Sequence, residues 1–530
     1  MKEKTEFNRK SKLLKLLKTF VVSKMFLIIL LLLVQFLFYF ALFFNFEHYS
    51  SYFGLINLSL SILFFIYISN KPGKNEFKLT WIFPMLIFPI FGIFLYILLK
   101  TNYGGLILKK NLKNVKKIIS SKYKKPDESA LLKKYPEFSD AITYLTNFCL
   151  NPAYENTKQK YFESGSLAFT DIKEELKKAQ KFIFIEYFII EPSQIWNEIL
   201  EILKEKASSG VEIRILYDSL GSLDYSSKRY ENFLKKFNIK AKVFMNFIPI
   251  INTALNNRDH RKILCIDGKV CYTGGINISD EYANISTERF SYWKDSAIKI
   301  EGEAIKSFTT MFLQLWHIAN KTLKKSNQEN IINDLKNYVE IDYPKFPENG
   351  VSIPYCDDAY NDEDTAENVY IYILTHAYKY VHIMTPYTIL DNTMINTLCF
   401  AAKRGVDVSI IVPKFYDHFI TFCVGRVFTK MLIEAGVNVY EYNKGFIHAK
   451  SFVSDDKTAA IGSVNLDYRS FYHHFECGLL IHKSNEILKM EQDFQNTLKD
   501  CTKLDSSSYK KLSLIKRIVG RCARIISPLL

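Results

Sequence analysis

Apolar residues fall along this chain in three regimes. The first is a run from 25 to 46, MFLIILLLLVQFLFYFALFFNF, with no charge across 22 positions. As a helix it is about 33 Å long, against roughly 30 Å for the hydrocarbon core of a bilayer. It is too long for the apolar part of a cleaved leader, and no small-residue cleavage site follows, so a span is expected. Two more uncharged stretches follow, 52–68 and 81–99, the second interrupted by Pro84, Pro89 and Gly92, which kink or break helices. Membrane segments are thus predicted over 25–100.

The second regime begins near residue 165, where strands alternate with helices. KFIFIEYFII (181–190) reads as a buried strand, QIWNEILEILKEKASS as an amphipathic helix, and VEIRILYD after Gly210 as a second strand. The order recurs later as KYVHIMTPYTI, MINTLCFAAKR, Gly405 and VDVSIIVP. This alternation predicts an α/β sheet in each of two similar halves, 161–335 and 336–505, reached through a basic linker at 101–160. In the third regime, 506–530, Leu512, Ile515, Ile518, Val519, Cys522, Ile525 and Ile526 recur at steps of three and four among six Lys/Arg and no acid. That pattern suits a basic amphipathic helix lying on anionic lipid, or one packed on the domain surface.

Charge sharpens this picture. The 530 residues carry 70 Lys+Arg against 55 Asp+Glu, a formal net charge of +15, and 48% are hydrophobic. Extended disorder is excluded, and a polyanionic partner is implied, either nucleic acid or an anionic membrane. Residues 1–24 hold eight Lys/Arg and 100–125 hold nine Lys without an acid, so both flanks favour the cytoplasm. Three full spans cannot place both flanks there. Either the proline-containing segment is re-entrant, or another stretch lies in the interface. Nine cysteines without a CxxC pair argue against a disulfide scaffold or a thiolate zinc site.

Candidate chemistry comes from a motif present twice. HRKILCID places His260, Lys262 and Asp267 at the spacing that HAKSFVSD repeats with His448, Lys450 and Asp455. Fourteen and seventeen residues after each histidine come a glycine and an asparagine: Gly274 and Asn277 in GGIN, Gly462 and Asn465 in GSVN. One HxKxxxxD is unremarkable in a chain of this length; two in register with a matched GxxN are not. In a strand, residues i and i+2 share a face, so each His–Lys pair projects together. If the halves pack about a pseudo-twofold axis, two imidazoles, two ammoniums, two carboxamides and Ser463 form a metal-free phosphate site. One histidine attacks phosphorus to give a phosphohistidine. The other protonates the leaving alkoxide and then deprotonates the incoming alcohol. In-line displacement needs the two on opposite sides of phosphorus, which one motif cannot supply. Asp267, before Gly268, and Asp455, in SDDK, are left between orienting the structure and acting in the chemistry. The acidic cluster CDDAYNDED (Asp357, Asp358, Asp362, Asp364) is the metal-hydrolase alternative. It has no histidine at ligand spacing and reads as a solvated loop.

The twin motif resembles the phospholipase D superfamily. The layout over roughly 50–530, including WIFPMLIFPIFGIFLYILL and the closing SPLL, is similar to the bacterial cardiolipin synthases within it. The resemblance implies two phospholipase D-like α/β halves packed as a pseudo-twofold dimer in one chain, behind N-terminal transmembrane helices. It further implies phosphatidyl transfer between two phosphatidylglycerols, giving cardiolipin and glycerol, with no metal, nucleotide or other cofactor. His260 would be the nucleophile and His448 the acid/base, with Asp295 and Glu476 orienting the imidazoles. His474 stands where the family commonly has Asn, and TPYTILDN departs from its usual Tyr-Phe-Val-Pro. Both departures put donor or acceptor specificity in doubt. The expected setting is a bacterial plasma membrane, multi-pass, with residues 1–24 and the catalytic region cytoplasmic and anionic lipids as partners. Nucleic acid is not expected. A phosphodiesterase hydrolysing lipid or nucleic acid is the alternative enzyme, and a scaffold with a decayed site is the non-enzymatic one.

Overall fold

A computed structural model of the chain describes residues 47–100, 103–122, 128–245, 257–319, 328–347 and 349–529, with a few helical positions between 33 and 40. Most of the expected span 25–46, and all of residues 1–24, lie outside the described residues. The chain divides into two units.

The first unit holds the helices Glu47–Ser69, Asn75–Ile87 and Pro89–Lys100. The stretch 81–99 is therefore not one helix. It breaks at Phe88 (φ −134°, ψ 78°), because Pro89 has no N–H to continue the ladder and restricts the residue before it. Ile68, Ile82, Met85 and Tyr96 form a small core, and Lys71 Nζ donates to Tyr96 Oη at 2.9 Å. Leu55, Ile62, Leu63, Phe65, Phe83 and Leu86 all remain exposed. Among the described residues no helix is both long and apolar enough to cross a membrane.

The second unit carries the internal repeat. Its first half lays down β1 (Thr157–Phe162), β2 (Phe182–Tyr187), β3 (Glu212–Asp218), β4 (Ile239–Phe244), β5 (Lys262–Ile266), β6 (Val270–Gly274), β7 (Trp293–Lys294) and β8 (Ala297–Gly302). Its second half gives β9 (Val351–Asp357), β10 (Tyr380–Met384), β11 (Thr388–Ile389), β12 (Asp407–Pro413), β13 (Asn438–Tyr442), β14 (Phe446–Ile447), β15 (Ser451–Ser454), β16 (Thr458–Gly462), β17 (Leu466–Asp467), β18 (Glu476–His482) and β19 (Cys501–Lys503). The first sheet runs β1-β8-β6-β5-β2-β3-β4. The second runs β9-β18-β16-β15-β10-β12-β13, with β19 added at its edge. Position by position the two orders match. Both have a parallel trio (β2, β3, β4; β10, β12, β13) and antiparallel pairings elsewhere. The expected α/β halves are thus mixed sheets of one topology.

β2, FIFIEY, is buried at every position, which is why its sequence is apolar with almost no alternation. One sheet face is covered by helices such as Gly165–Lys178 and Gln194–Ser208. On the other face Ile263, Cys265 and Ile298 share a buried cluster with Val453, Ile461 and Leu479 of the second sheet. The two halves therefore meet sheet to sheet. The helix Gln328–Tyr338 runs across the expected boundary at 335/336, and its Asp334 takes a bidentate pair from Arg214 of β3 (2.5 and 3.0 Å). The chain as far as Tyr338 thus packs with the first half.

Two expectations about acidic residues resolve here. Asp267 and Asp455 both sit at φ 54°. The Asp267 carboxylate accepts from the N–H of Gln180, Lys181 and Phe182 (2.7, 2.7 and 2.8 Å), and Asp455 from Tyr378, Lys379 and Tyr380 (2.7, 2.9 and 2.8 Å). Each motif aspartate pins the start of the neighbouring strand, β2 or β10. The acidic cluster 357–364 is not wholly a solvated loop. Asp357 is buried, accepting from Ala366 N–H at 2.7 Å, and Asp358 is buried against Lys116 at 3.0 Å.

Asp267→Ala is expected to cost about 2–4 kcal/mol in stability, because it strips the acceptors from three N–H groups, one of them fully buried. Asp455→Ala, whose N–H partners lie nearer solvent, should cost less. Chemical denaturation of the two full-length variants in micelles checks the order, and equal losses would contradict it.

Candidate active site

The motif histidines stand just ahead of their strands, not within them: β5 starts at Lys262 and β15 directly after Lys450. Each is held by the opposite half. His260 N–H donates to the Phe475 carbonyl at 2.9 Å, and His448 N–H to the Lys294 carbonyl at 2.7 Å. These bonds belong to two short parallel pairings between the halves, Asp259 with Phe475 and β14 with β7. The residue after Phe475 is Glu476, and the residue after Lys294 is Asp295. The segment that grips each histidine backbone therefore also brings a carboxylate to its ring. His260 Nδ1 lies 2.9 and 3.0 Å from the Glu476 oxygens, and His448 Nδ1 lies 2.7 Å from Asp295 Oδ2. A carboxylate at Nδ1 favours the proton there and leaves Nε2 of His260 as the acceptor, whereas Lys450 Nζ lies 2.8 Å from Nδ1 and 3.2 Å from Nε2 of His448.

The matched glycines make this possible. A Cβ at Gly274 would meet the Ser296 carbonyl oxygen at 2.5 Å, and one at Gly462 the Cys477 oxygen at 2.4 Å. Only glycine lets β6 and β16 close on the strands that follow the carboxylates. One position on, the halves differ. A Cβ at Gly275 would lie 2.1 Å from Asp295 Oδ1, whereas Ser463 fills the equivalent place and donates its hydroxyl to Glu476. Ser463 thus holds an orienting acid.

Lys262 Nζ donates to the His260 carbonyl at 2.6 Å, and Lys450 Nζ to the His448 carbonyl at 2.5 Å. All four His and Lys side chains are buried, Lys262 completely. Burial pushes the His260 imidazole down to about 3, outweighing the Glu476 carboxylate. Burial, then Lys450 and Lys262, hold His448 well below the ordinary range. Glu476 remains a carboxylate, since His260 and His474 more than offset its burial. Burial raises Asp295 to about 7 against the pull of Lys450. It lowers Lys262 to about 8 and Lys450 to about 7. At neutral pH the empty site presents two neutral imidazoles and a partly protonated lysine pair.

Asn277 is buried and accepts from Ile189 N–H at 3.2 Å, while Asn465 Oδ1 is buried with no protein partner. Several neighbours were not picked out from sequence. Phe188 lies against His260 (ring centroids 5.2 Å), and Tyr282 and Trp293 against His448 (5.2 and 5.4 Å). Arg261, between the motif His and Lys, is fully buried 4.0 Å from Glu186 of β2. The single acid in KFIFIEYFII was the available signal for that pair. His474 lies beside His260 (5.3 Å), with Nδ1 3.5 Å from Glu476. Among the described residues, His260, His474 and Glu476 are the grouping close enough to share a metal ion. Two imidazoles, each with a carboxylate at Nδ1, and two buried lysines can instead bind a phosphodiester and pass its phosphoryl group between oxygens.

Comparison with known proteins matches residues 172–316 and 370–498 to a family described as "Cardiolipin synthase, PLD-like domain". The chain is 34% identical to a cardiolipin synthase of Clostridium perfringens, over 85% of this chain and 94% of that one. It is 41% identical to an uncharacterised protein of Streptococcus mutans, over 88% and 99%. In fold it is similar to a phosphatidylserine synthase crystal structure from Haemophilus influenzae, with TM-score 0.56 and 17% identity, over 72% of this chain and 98% of that one.

A charge-assisted contact from a buried lysine is worth enough that losing one should weaken anion binding about tenfold. Lysines are charged below their pKa, so binding should be strong at pH 6 and decline as pH rises through about 7 and 8, where Lys450 and then Lys262 lose their protons. Sulfate, whose charge is constant over this range, is the calorimetric probe. The decline should shrink in Lys450→Met, and a pH-independent affinity would contradict the assignment.

Proposed function

The chain belongs to the cardiolipin synthases of the phospholipase D superfamily, which are phosphatidyltransferases, and we propose that it moves the phosphatidyl group of one phosphatidylglycerol onto a second, giving cardiolipin and glycerol. The observation that carries this reading is the reciprocal pair of carboxylate-bound imidazoles, each beside a buried lysine. His260 Nε2 forms a bond to phosphorus while the bond from phosphorus to the glycerol oxygen breaks, and His448 gives that oxygen its proton. His448 then takes the proton of a hydroxyl on the incoming phosphatidylglycerol. The freed oxygen bonds to phosphorus as the N–P bond breaks, and the enzyme is restored.

His448 must carry a proton for the first step, although the empty site keeps it neutral. A phosphodiester lodged between Lys262 and Lys450 offsets the positive charge that depresses it, and Asp295 supports the imidazolium. Substrate binding thus charges the acid. Asn277 and Asn465 serve as donors to the phosphoryl oxygens, with Asp267 and Asp455 acting only through the strands they pin. Metal and nucleotide have no part in these steps.

The setting is a bacterial plasma membrane with the catalytic region on its cytoplasmic side. The charge-free run 25–46 and the lysine-rich flank 100–125 support this, as does the closing helix Leu514–Ala523. That helix packs through Gly520 against the helix Phe419–Glu434 and exposes Leu514, Ile515 and Ile518. Apolar side chains beside Lys516, Arg517 and Arg521 suit an anionic lipid surface.

In phosphatidylglycerol liposomes the full chain should form cardiolipin and release glycerol, with activity unchanged by EDTA. His260→Ala should abolish turnover, and His448→Ala should slow it about 10²–10⁴-fold. Peptide mass spectrometry of acid- and alkali-quenched reactions should find the covalent adduct on His260. Phosphatidic acid as sole product would replace transfer by hydrolysis. A strict divalent-metal requirement would shift attention to His260, His474 and Glu476 as ligands.

A further inference from the structure

Away from the cleft, the second unit contains a cavity of about 440 Å³. None of the histidines, lysines, asparagines or carboxylates of the twin motif lines it. The volume is within the range of ligand pockets, and the lining has their usual character, apolar with a few convergent polar groups. Leu112, Ile119 and Met311 form the inner wall, and Phe148 and Leu150 stand at the mouth, both largely exposed. Leu150 is held at φ 58°, a conformation that a leucine rarely adopts, and strain of this kind gathers at binding sites.

Two residues of the cavity wall have amide nitrogens that are buried without an acceptor, within a side-chain rotation of that space. Asn151 Nδ2 and Gln314 Nε2 are each unpartnered, in side chains only 4% and 5% exposed, and both residues line the cavity. Buried donors left unpaired call for a ligand oxygen. On the rim, Lys109 and Lys113 lie one helical turn apart on the helix Tyr103–Lys122, exposed and with no acidic partner among the described residues. Lys116, one turn further, is already neutralised by Asp358 at 3.0 Å. Glu363, which accepts from Tyr144 O–H at 2.8 Å, and Asp362 also line the cavity, carboxylates able to accept from a headgroup hydroxyl.

We propose that this cavity is a second, non-catalytic lipid site that seats the headgroup and glycerol-ester region of one diacyl anionic phospholipid with a hydroxyl-bearing headgroup. The first carbons of its acyl chains lie along Leu112, Ile119 and Met311, and the rest of the chains leave past Phe148 and Leu150. Its ester carbonyls accept from Asn151 and Gln314, and its phosphate lies against Lys109 and Lys113. Lysines on an exposed helix face select the anion, and the buried amides select an ester over a plain hydrocarbon. The site goes beyond the transfer reaction and is read independently of turnover.

The test is photo-crosslinking of the full chain in micelles with phosphatidylglycerol carrying a diazirine on one acyl chain, the adducts mapped by peptide mass spectrometry. Adducts are expected on the peptides around 109–120, 148–152 and 310–314. They should fall at least fivefold in Lys109→Glu/Lys113→Glu, whose substitutions are exposed and leave the core untouched, and in Gln314→Leu. Adducts near the cleft should persist in both. The matching phosphatidylcholine probe should label these peptides at least fivefold less. Equal labelling by the two probes, or labelling indifferent to the lysines, reduces the cavity to an unselective apolar void and overturns the proposal. So does an absence of adducts there. A chain that makes no cardiolipin but labels at these peptides would refute the transfer reading and leave this one standing.

Discussion

Each half's imidazole is held by the other half's carboxylate, and the rest of the molecule is arranged around that exchange. His260 is bound by Glu476 and His448 by Asp295, with both acids fully buried. Removing one partner leaves a buried hydrogen-bonding group unsatisfied, which typically costs about 1–3 kcal/mol, and more where the group left is the ionised Glu476. Neither half contains a finished site. The backbone bonds from Phe475 and Lys294 that dock the halves lie one residue from the acids that complete them. Docking and site assembly are one event. Lys294 reinforces it by reaching Asp493 of the second half at 2.6 and 2.7 Å. The face-to-face sheets supply the area, and the exchanged acids supply the register.

This explains what could be read in the sequence and what could not. The His–Lys pairs, glycines and asparagines were legible because their spacing is local, and local spacing survives divergence between the halves. The repeat of strand and helix order was legible for the same reason, whereas the mixed sheet order that the two halves share came only from the structure. The crossing of Asp295 and Glu476 to the opposite histidine was not legible, because no periodicity in one chain says which half a residue will face. Phe188, Tyr282 and Trp293 reach the rings from loops and a two-residue strand, without a pattern. Asp267 stood open between structure and chemistry, because it travels with the motif and also precedes a glycine. Its carboxylate binds the start of β2, against which β5, the strand that begins at Lys262, is registered. The break at Phe88 followed from Pro89, while the expected span 25–46 falls mostly outside the described residues.

The scaffold is close to symmetric, yet displacement at phosphorus is not. In the proposed transfer one histidine is a neutral nucleophile while the other donates a proton. The departures from symmetry are few and lie at the acids: Gly275 opposite Ser463, an aspartate opposite a glutamate, and His474 beside only one of the two imidazoles. Glu476, bonded by Ser463 and flanked by two histidines, stays firmly ionised, whereas Asp295 is raised to about 7. A firmly ionised partner suits the nucleophile, whose Nδ1 proton must stay in place. A softer partner suits the residue whose proton count changes twice per cycle.

Burial then bears on transfer against hydrolysis. His260 and His448 are each 7% exposed, Lys450 1% and Lys262 not at all. So deep a site leaves lysines and imidazoles competing for protons when it is empty, a tension that an anionic phosphodiester relieves and bulk water does not. In the proposed mechanism a phosphohistidine would form at a side chain that is only 7% exposed. A lipid alcohol delivered by the same surface that delivered the donor can reach it first, and exclusion of water from the cleft is the physical condition for that outcome. The carboxylates that orient the imidazoles are also what make so dry a site chemically competent, since without them neither ring would hold the tautomer that the reaction requires.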